Sequence, residues 1–72
     1  MPHMVYKIET ERENDGRWIA EVPDLPGVMA YGNTEKEAIV AAETLALRVL
    51  ADRIEEQKEP AVTLTVSVEP SS

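Results

Sequence analysis

The sequence predicts an α+β domain in the order β-β-β-α-β, with one long helix packed on one face of an antiparallel sheet. Three observations carry this. Four stretches read as strands, the first, second and fourth from side chains that share a face with period two and the third as a short run after a turn. A single capped segment of helical periodicity lies between the third and fourth of them. At 72 residues the chain has room for only one core, so these elements belong to a single domain, residues 1–72.

The first strand starts at Met4, where Met4, Tyr6 and Ile8 share one face and Val5, Lys7 and Glu9 the other. A polar stretch from Glu11 to Gly16 ends in Asp-Gly, a strong hairpin signal. The second strand, Arg17 to Val22, aligns Trp18, Ala20 and Val22. Pro23-Asp24-Leu25-Pro26-Gly27 breaks it, because each proline removes a ladder donor and Gly27 permits positive φ. A short third strand runs from Val28 to Tyr31.

Thr34 followed by Glu37 forms a capping box that opens the helix, predicted from Glu35 to Gln57 and roughly 33 Å long. Pro60 is the expected stop. Val62, Leu64, Val66 and Val68 then alternate with Thr63, Thr65 and Ser67 as the last strand. The ordered core is expected over about 4–68, with tails at 1–3 and 69–72.

On the helix, Ala38, Ala42, Leu45, Ala46 and Val49, flanked by Ile39 and Leu50, make the stripe that packs on the sheet. Val40, Leu47, Ala51 and Ile54 form a second apolar cluster on nearly the opposite side. Two readings stand. Scattered apolar residues on a surface need no explanation; alternatively a second surface covers them, most simply the same helix of a symmetry mate in a dimer. On the outer sheet face, Val5, Ile19, Met29 and Tyr31 interrupt an otherwise polar pattern and form a candidate contact patch.

Composition narrows the partners. Seven Lys and Arg against fourteen Asp and Glu give a net charge of −7. That sign opposes binding to nucleic acid or to an anionic membrane surface and favours a basic or apolar partner. The 43% hydrophobic content is that of a folded chain. No apolar run approaches the ~18 residues of a membrane span, and Met1-Pro2-His3-Met4 does not open a signal peptide. The expected location is cytoplasmic.

Chemistry is sparse. There is no cysteine, and the single histidine, His3, falls in the predicted tail, so a transition-metal site is not expected. Glu9, Asp15, Glu21 and Asp24 offer carboxylates for a hard cation but no recognisable loop spacing, and Asp15 and Asp24 have turn roles of their own. No phosphate-binding glycine loop is present. Neither catalytic residues nor cofactors are expected. Trp18 reads as core, with a binding anchor as the alternative.

Two segments carry a family resemblance. Asp15-Gly16-Arg17-Trp18-Ile19-Ala20-Glu21-Val22-Pro23-Asp24-Leu25-Pro26-Gly27, followed by Tyr31-Gly32-Asn33-Thr34-Glu35-Lys36-Glu37-Ala38, resembles the core of the HicB-like antitoxins. The likeness covers about residues 4 to 68. Val28 and Asn33 stand where that family often has Cys and Asp. The resemblance implies a partial, catalytically inert ribonuclease H-like fold that binds and blocks a small basic ribonuclease toxin of the HicA type, and that self-associates.

Under that reading the binding residues are Pro23, Asp24, Leu25, Pro26 and Gly27 of the loop with Ile19, Met29 and Tyr31 of the outer sheet. Val40, Leu47, Ala51 and Ile54 are the self-association residues. A register-fixing turn is the simpler reading of the loop. Many family members carry a C-terminal operator-binding module; none follows the last predicted strand here, so DNA binding is not expected. Alternatives are an orphan HicB-like scaffold or sensor, and a metal-dependent ribonuclease H-like hydrolase, which needs converging carboxylates.

Overall fold

The computed structural model describes residues 3–58 and 63–70. The elements are β1 (His3–Arg12), β2 (Trp18–Glu21), β3 (Met29–Gly32), α1 (Glu35–Gln57) and β4 (Thr63–Pro70). The expected stop at Pro60, the start of the last strand at Val62 and the ends of both tails lie outside the described residues. β1 opens at His3, whose backbone is opposite Thr63, and β4 reaches Pro70. Both strands therefore extend past the 4–68 core expected from the pattern.

β1, β2 and β3 form an antiparallel meander, and the sheet order is β3-β2-β1-β4. The expectation of an antiparallel sheet holds for these three strands and is corrected at the fourth, which pairs in parallel with β1. The helix is the reason. It carries the chain from the end of β3 back to the level where β1 and β3 begin, so the next strand must run in their direction.

The helix begins and ends where the sequence predicts. Thr34 is its N-cap in extended conformation, and its hydroxyl accepts the Glu37 N–H at 3.1 Å. The reciprocal bond shifts by one residue: the Glu37 carboxylate accepts the N–H of Asn33, at 2.9 Å, in place of that of Thr34. At the other end Lys58 turns left-handed, with φ 57°, and donates its N–H to the Ile54 carbonyl.

The core lies between α1 and the β1–β3 face. Ala38, Ala42, Ala46 and Leu50 are buried on the helix, against Ile8, Ala20, Val22, Leu25 and Val28. Three alanines one turn apart bring the helix backbone close to the sheet. Leu45 and Val49 border this line half-buried, as do Tyr6 and Trp18. Gly32 is where the approach is tightest, since a Cβ there would sit 2.5 Å from the Ala38 nitrogen and 2.8 Å from the Glu37 Cβ. Without a side chain at 32, the strand can pass straight beneath the first turn of the helix.

Candidate functional site

The face of the sheet turned away from the helix carries the candidate site, and register assembles it. One cross-strand row is Glu9, Glu21 and Met29; the next is Glu11, Ile19 and Tyr31. Residues in a row point to the same side, so Ile19, Met29 and Tyr31 gather over β2 and β3 while Glu9, Glu11 and Glu21 flank them. Met29 and Tyr31 are 43% and 49% exposed, and Ile19 is half-buried. Glu9 and Glu21 are direct cross-strand partners. Two like charges in that position disfavour the sheet by themselves and favour a cation placed over both.

Arg17 braces Tyr31. Its guanidinium lies 4.8 Å from the centre of the Tyr31 ring, a distance at which cation and ring attract. The same guanidinium holds the Asp15 carboxylate, with Nε donating to Oδ2 at 2.7 Å, and the Arg17 N–H donates to Oδ1 at 3.0 Å. The Arg17 backbone N–H first, and its side chain second, hold the Asp15 carboxyl below the ordinary aspartate range. The hairpin tip thus braces the ring on the strand next to β2.

The Pro23–Gly27 loop closes on three backbone bonds. Val22 donates to the Val28 carbonyl at 2.9 Å, Leu25 to that of Val22 at 3.0 Å and Val28 to that of Leu25 at 3.0 Å. Gly27 turns the chain at φ 83°, a conformation costly for a residue with a Cβ. The loop is split by function. Pro23, Asp24, Pro26 and Gly27 are exposed, whereas Leu25 is only 1% exposed and belongs to the core. The Leu25 side chain is therefore removed from the contact residues expected in this loop, because it is buried in the hydrophobic core.

The structure brings Ile19, Met29 and Tyr31 together and places Val5, 45% exposed, on the same face toward β4. Of the residues assigned to self-association, Val40 and Leu47 are 54% and 45% exposed, Ala51 is exposed and Ile54 half-buried. The Arg17–Tyr31 contact escapes sequence reading, because it needs the register that puts Ile19 beside Tyr31. Of the carboxylates considered for a cation, Glu9 and Glu21 are cross-strand partners, whereas Asp15 is tied to Arg17 and Asp24 lies in the next loop. Among the described residues no group of three or more His, Cys, Asp or Glu side chains is placed to hold a metal ion. Nor is any described helix long and apolar enough to cross a membrane.

No family model matches the chain, and no solved structure matches it. The UPF0150 protein Ta0767 of Thermoplasma acidophilum is 30% identical over 56 residues, which span 78% of this chain and 80% of that protein. An identity of this size, running through most of the chain, gives the conclusion that the chain belongs to the UPF0150 family.

Proposed function

We propose that this chain is a HicB-like antitoxin, a non-enzymatic cytoplasmic domain that binds a small basic ribonuclease of the HicA type and neutralises it. The observation that carries the reading is the outer sheet face, where exposed Met29 and Tyr31 and half-buried Ile19 form an apolar group bordered by Glu9, Glu11 and Glu21. A ribonuclease must present cations to its RNA, so its active face is both basic and in need of cover. An acidic rim speeds encounter with such a face and excludes acidic competitors, while the apolar centre supplies affinity.

The resemblance of the Asp15–Gly27 and Tyr31–Ala38 segments to HicB-like antitoxins supports the same reading, as does the net charge of −7. The comparison with a partial ribonuclease H-like fold belongs to this proposal as well. The experiment is an RNA-cleavage assay with a small basic HicA-type ribonuclease, to be sought in the reading frame beside that of this chain. Adding the chain in increasing ratio is expected to abolish cleavage near equimolar amounts. Cleavage that continues unchanged under a large excess rejects the proposal.

A further inference from the structure

β3 lies at one edge of the sheet formed by the described residues. The Val22 N–H donates to the Val28 carbonyl at 2.9 Å, which makes these two a hydrogen-bonded pair. Such pairs alternate along an antiparallel ladder. With the observed register, Ala20 with Ala30 and Trp18 with Gly32 are the next ones. Met29 and Tyr31 fall between them, so their N–H and C=O groups point away from β2, toward the open side of the sheet. We infer that this edge pairs with an extended segment of the basic ribonuclease proposed above, which adds a strand beside β3. The inference rests on that proposed function and says how the partner is gripped.

The composition of this edge is the first ground. Exposed edges are ordinarily blunted by a charged side chain, a proline or a bulge. β3 reads Met29-Ala30-Tyr31-Gly32, with none of the three, and its register with β2 is uninterrupted. Its shortness leaves two residues to pair, which suits one short partner strand and not open-ended stacking. The opposite edge differs. β4 ends in Glu69 and Pro70, and Val68, opposite the buried Ile8 and so on the helix side, stays 41% exposed. α1 lies chiefly over β3 and β2. A strand added beside β3 therefore meets the flank of the helix, and one added beside β4 does not.

Register specifies the chemistry of the added strand. The row Glu9, Glu21, Met29 continues onto it, as does the row Glu11, Ile19, Tyr31. With strands ~4.8 Å apart, a residue opposite Met29 lies about 10 Å from the backbone of Glu21. An Arg or Lys at that position lays its stem along Met29 and sets its charge beside Glu21, with Glu9 one strand further. The residue opposite Tyr31 meets the exposed ring, a place for an apolar or aromatic side chain. The occupant is thus an extended segment with a basic and an apolar residue two positions apart. Backbone bonds at Met29 and Tyr31 supply affinity, and the two side-chain rows supply specificity.

Amide hydrogen exchange of the isotope-labelled chain, alone and with the ribonuclease, tests this. In the free chain the Met29 and Tyr31 amides are expected to exchange at least ~10-fold faster than that of Ala30, and to slow at least ~10-fold in the complex. A synthetic chain with an N-methyl group on Tyr31 loses the outward N–H and keeps the side chain. Its melting temperature is expected to stay within a few degrees while its affinity falls at least ~10-fold. A complex in which both amides exchange as in the free chain, or an unchanged affinity of the N-methyl chain, overturns the strand pairing and leaves the proposed function standing. Protection already present in the free chain and rising with its concentration also overturns it, by giving the edge to a second copy. Absence of any complex rejects the proposed function, and the inference with it.

Discussion

Thr10 on β1 donates its hydroxyl to the carboxylate of Glu35, 2.8 Å away in the first turn of α1. The bond links residues 25 apart in sequence and fixes where the helix lands on the sheet. Thr10 is a buried polar side chain of the core, 1% exposed. Thr10→Val keeps the shape and removes the donor to a charged acceptor, a loss of about 1–2 kcal/mol. Urea unfolding is expected to show a lower midpoint with an unchanged slope. The effect shrinks when Glu35→Gln is already present, since the two residues share one interaction.

Two glycine substitutions separate a steric requirement from a conformational one. A methyl at Gly32 meets backbone of the helix at 2.5 Å, and backbone cannot swing aside. Gly32→Ala is therefore expected to cost upward of ~2 kcal/mol. A methyl at Gly27 meets nothing within 4 Å, and only its φ of 83° opposes it. Gly27→Ala is expected to cost about 1–2 kcal/mol, the ordinary penalty for left-handed backbone. Thermal melts of the two variants side by side check the order.

Asp15 supplies a pH dependence of defined sign. Its carboxyl is held below the ordinary range by the Arg17 N–H and guanidinium, so the folded state binds that proton less readily than the unfolded chain. The contribution is complete above the unfolded value and fades as pH falls through the folded one. Because the pair is exposed, the effect is small. NMR titration of the Asp15 carboxyl is expected to give a midpoint below that of an unstructured peptide, and Arg17→Ala to return it toward that value.

Much of this was legible from residue order. Thr34 and Glu37 mark the helix start, and the Ala38-Ala42-Ala46 line names the buried side, because capping and period depend on nearby residues alone. Placement of β4 was not legible. Alternation tells which side chains share a face, but not which strand lies next or in which direction. Leu25 was misread for a related reason. Prolines on both sides of Asp24-Leu25 signal an exposed turn, and it takes the folded chain, closed by the backbone bonds between Val22 and Val28, to bury its leucine. Within the candidate site, Ile19, Met29 and Tyr31 followed from outward parity, whereas the Arg17 brace and the Glu9–Glu21 opposition depend on register.

The outer sheet face can be separated from the rest of the molecule by one affinity measurement. Ile19→Glu with Tyr31→Glu leaves the buried core untouched, so the melting temperature is expected to stay within a few degrees. Binding to a small basic ribonuclease of the proposed type, followed by calorimetry, is expected to weaken at least ~100-fold, because two central contacts of about 1.4 kcal/mol or more each are lost. The paired control Val40→Glu with Leu47→Glu, on the helix, is expected to change that affinity little. An unchanged affinity for the Ile19–Tyr31 variant would contradict the assignment of this face as the binding surface.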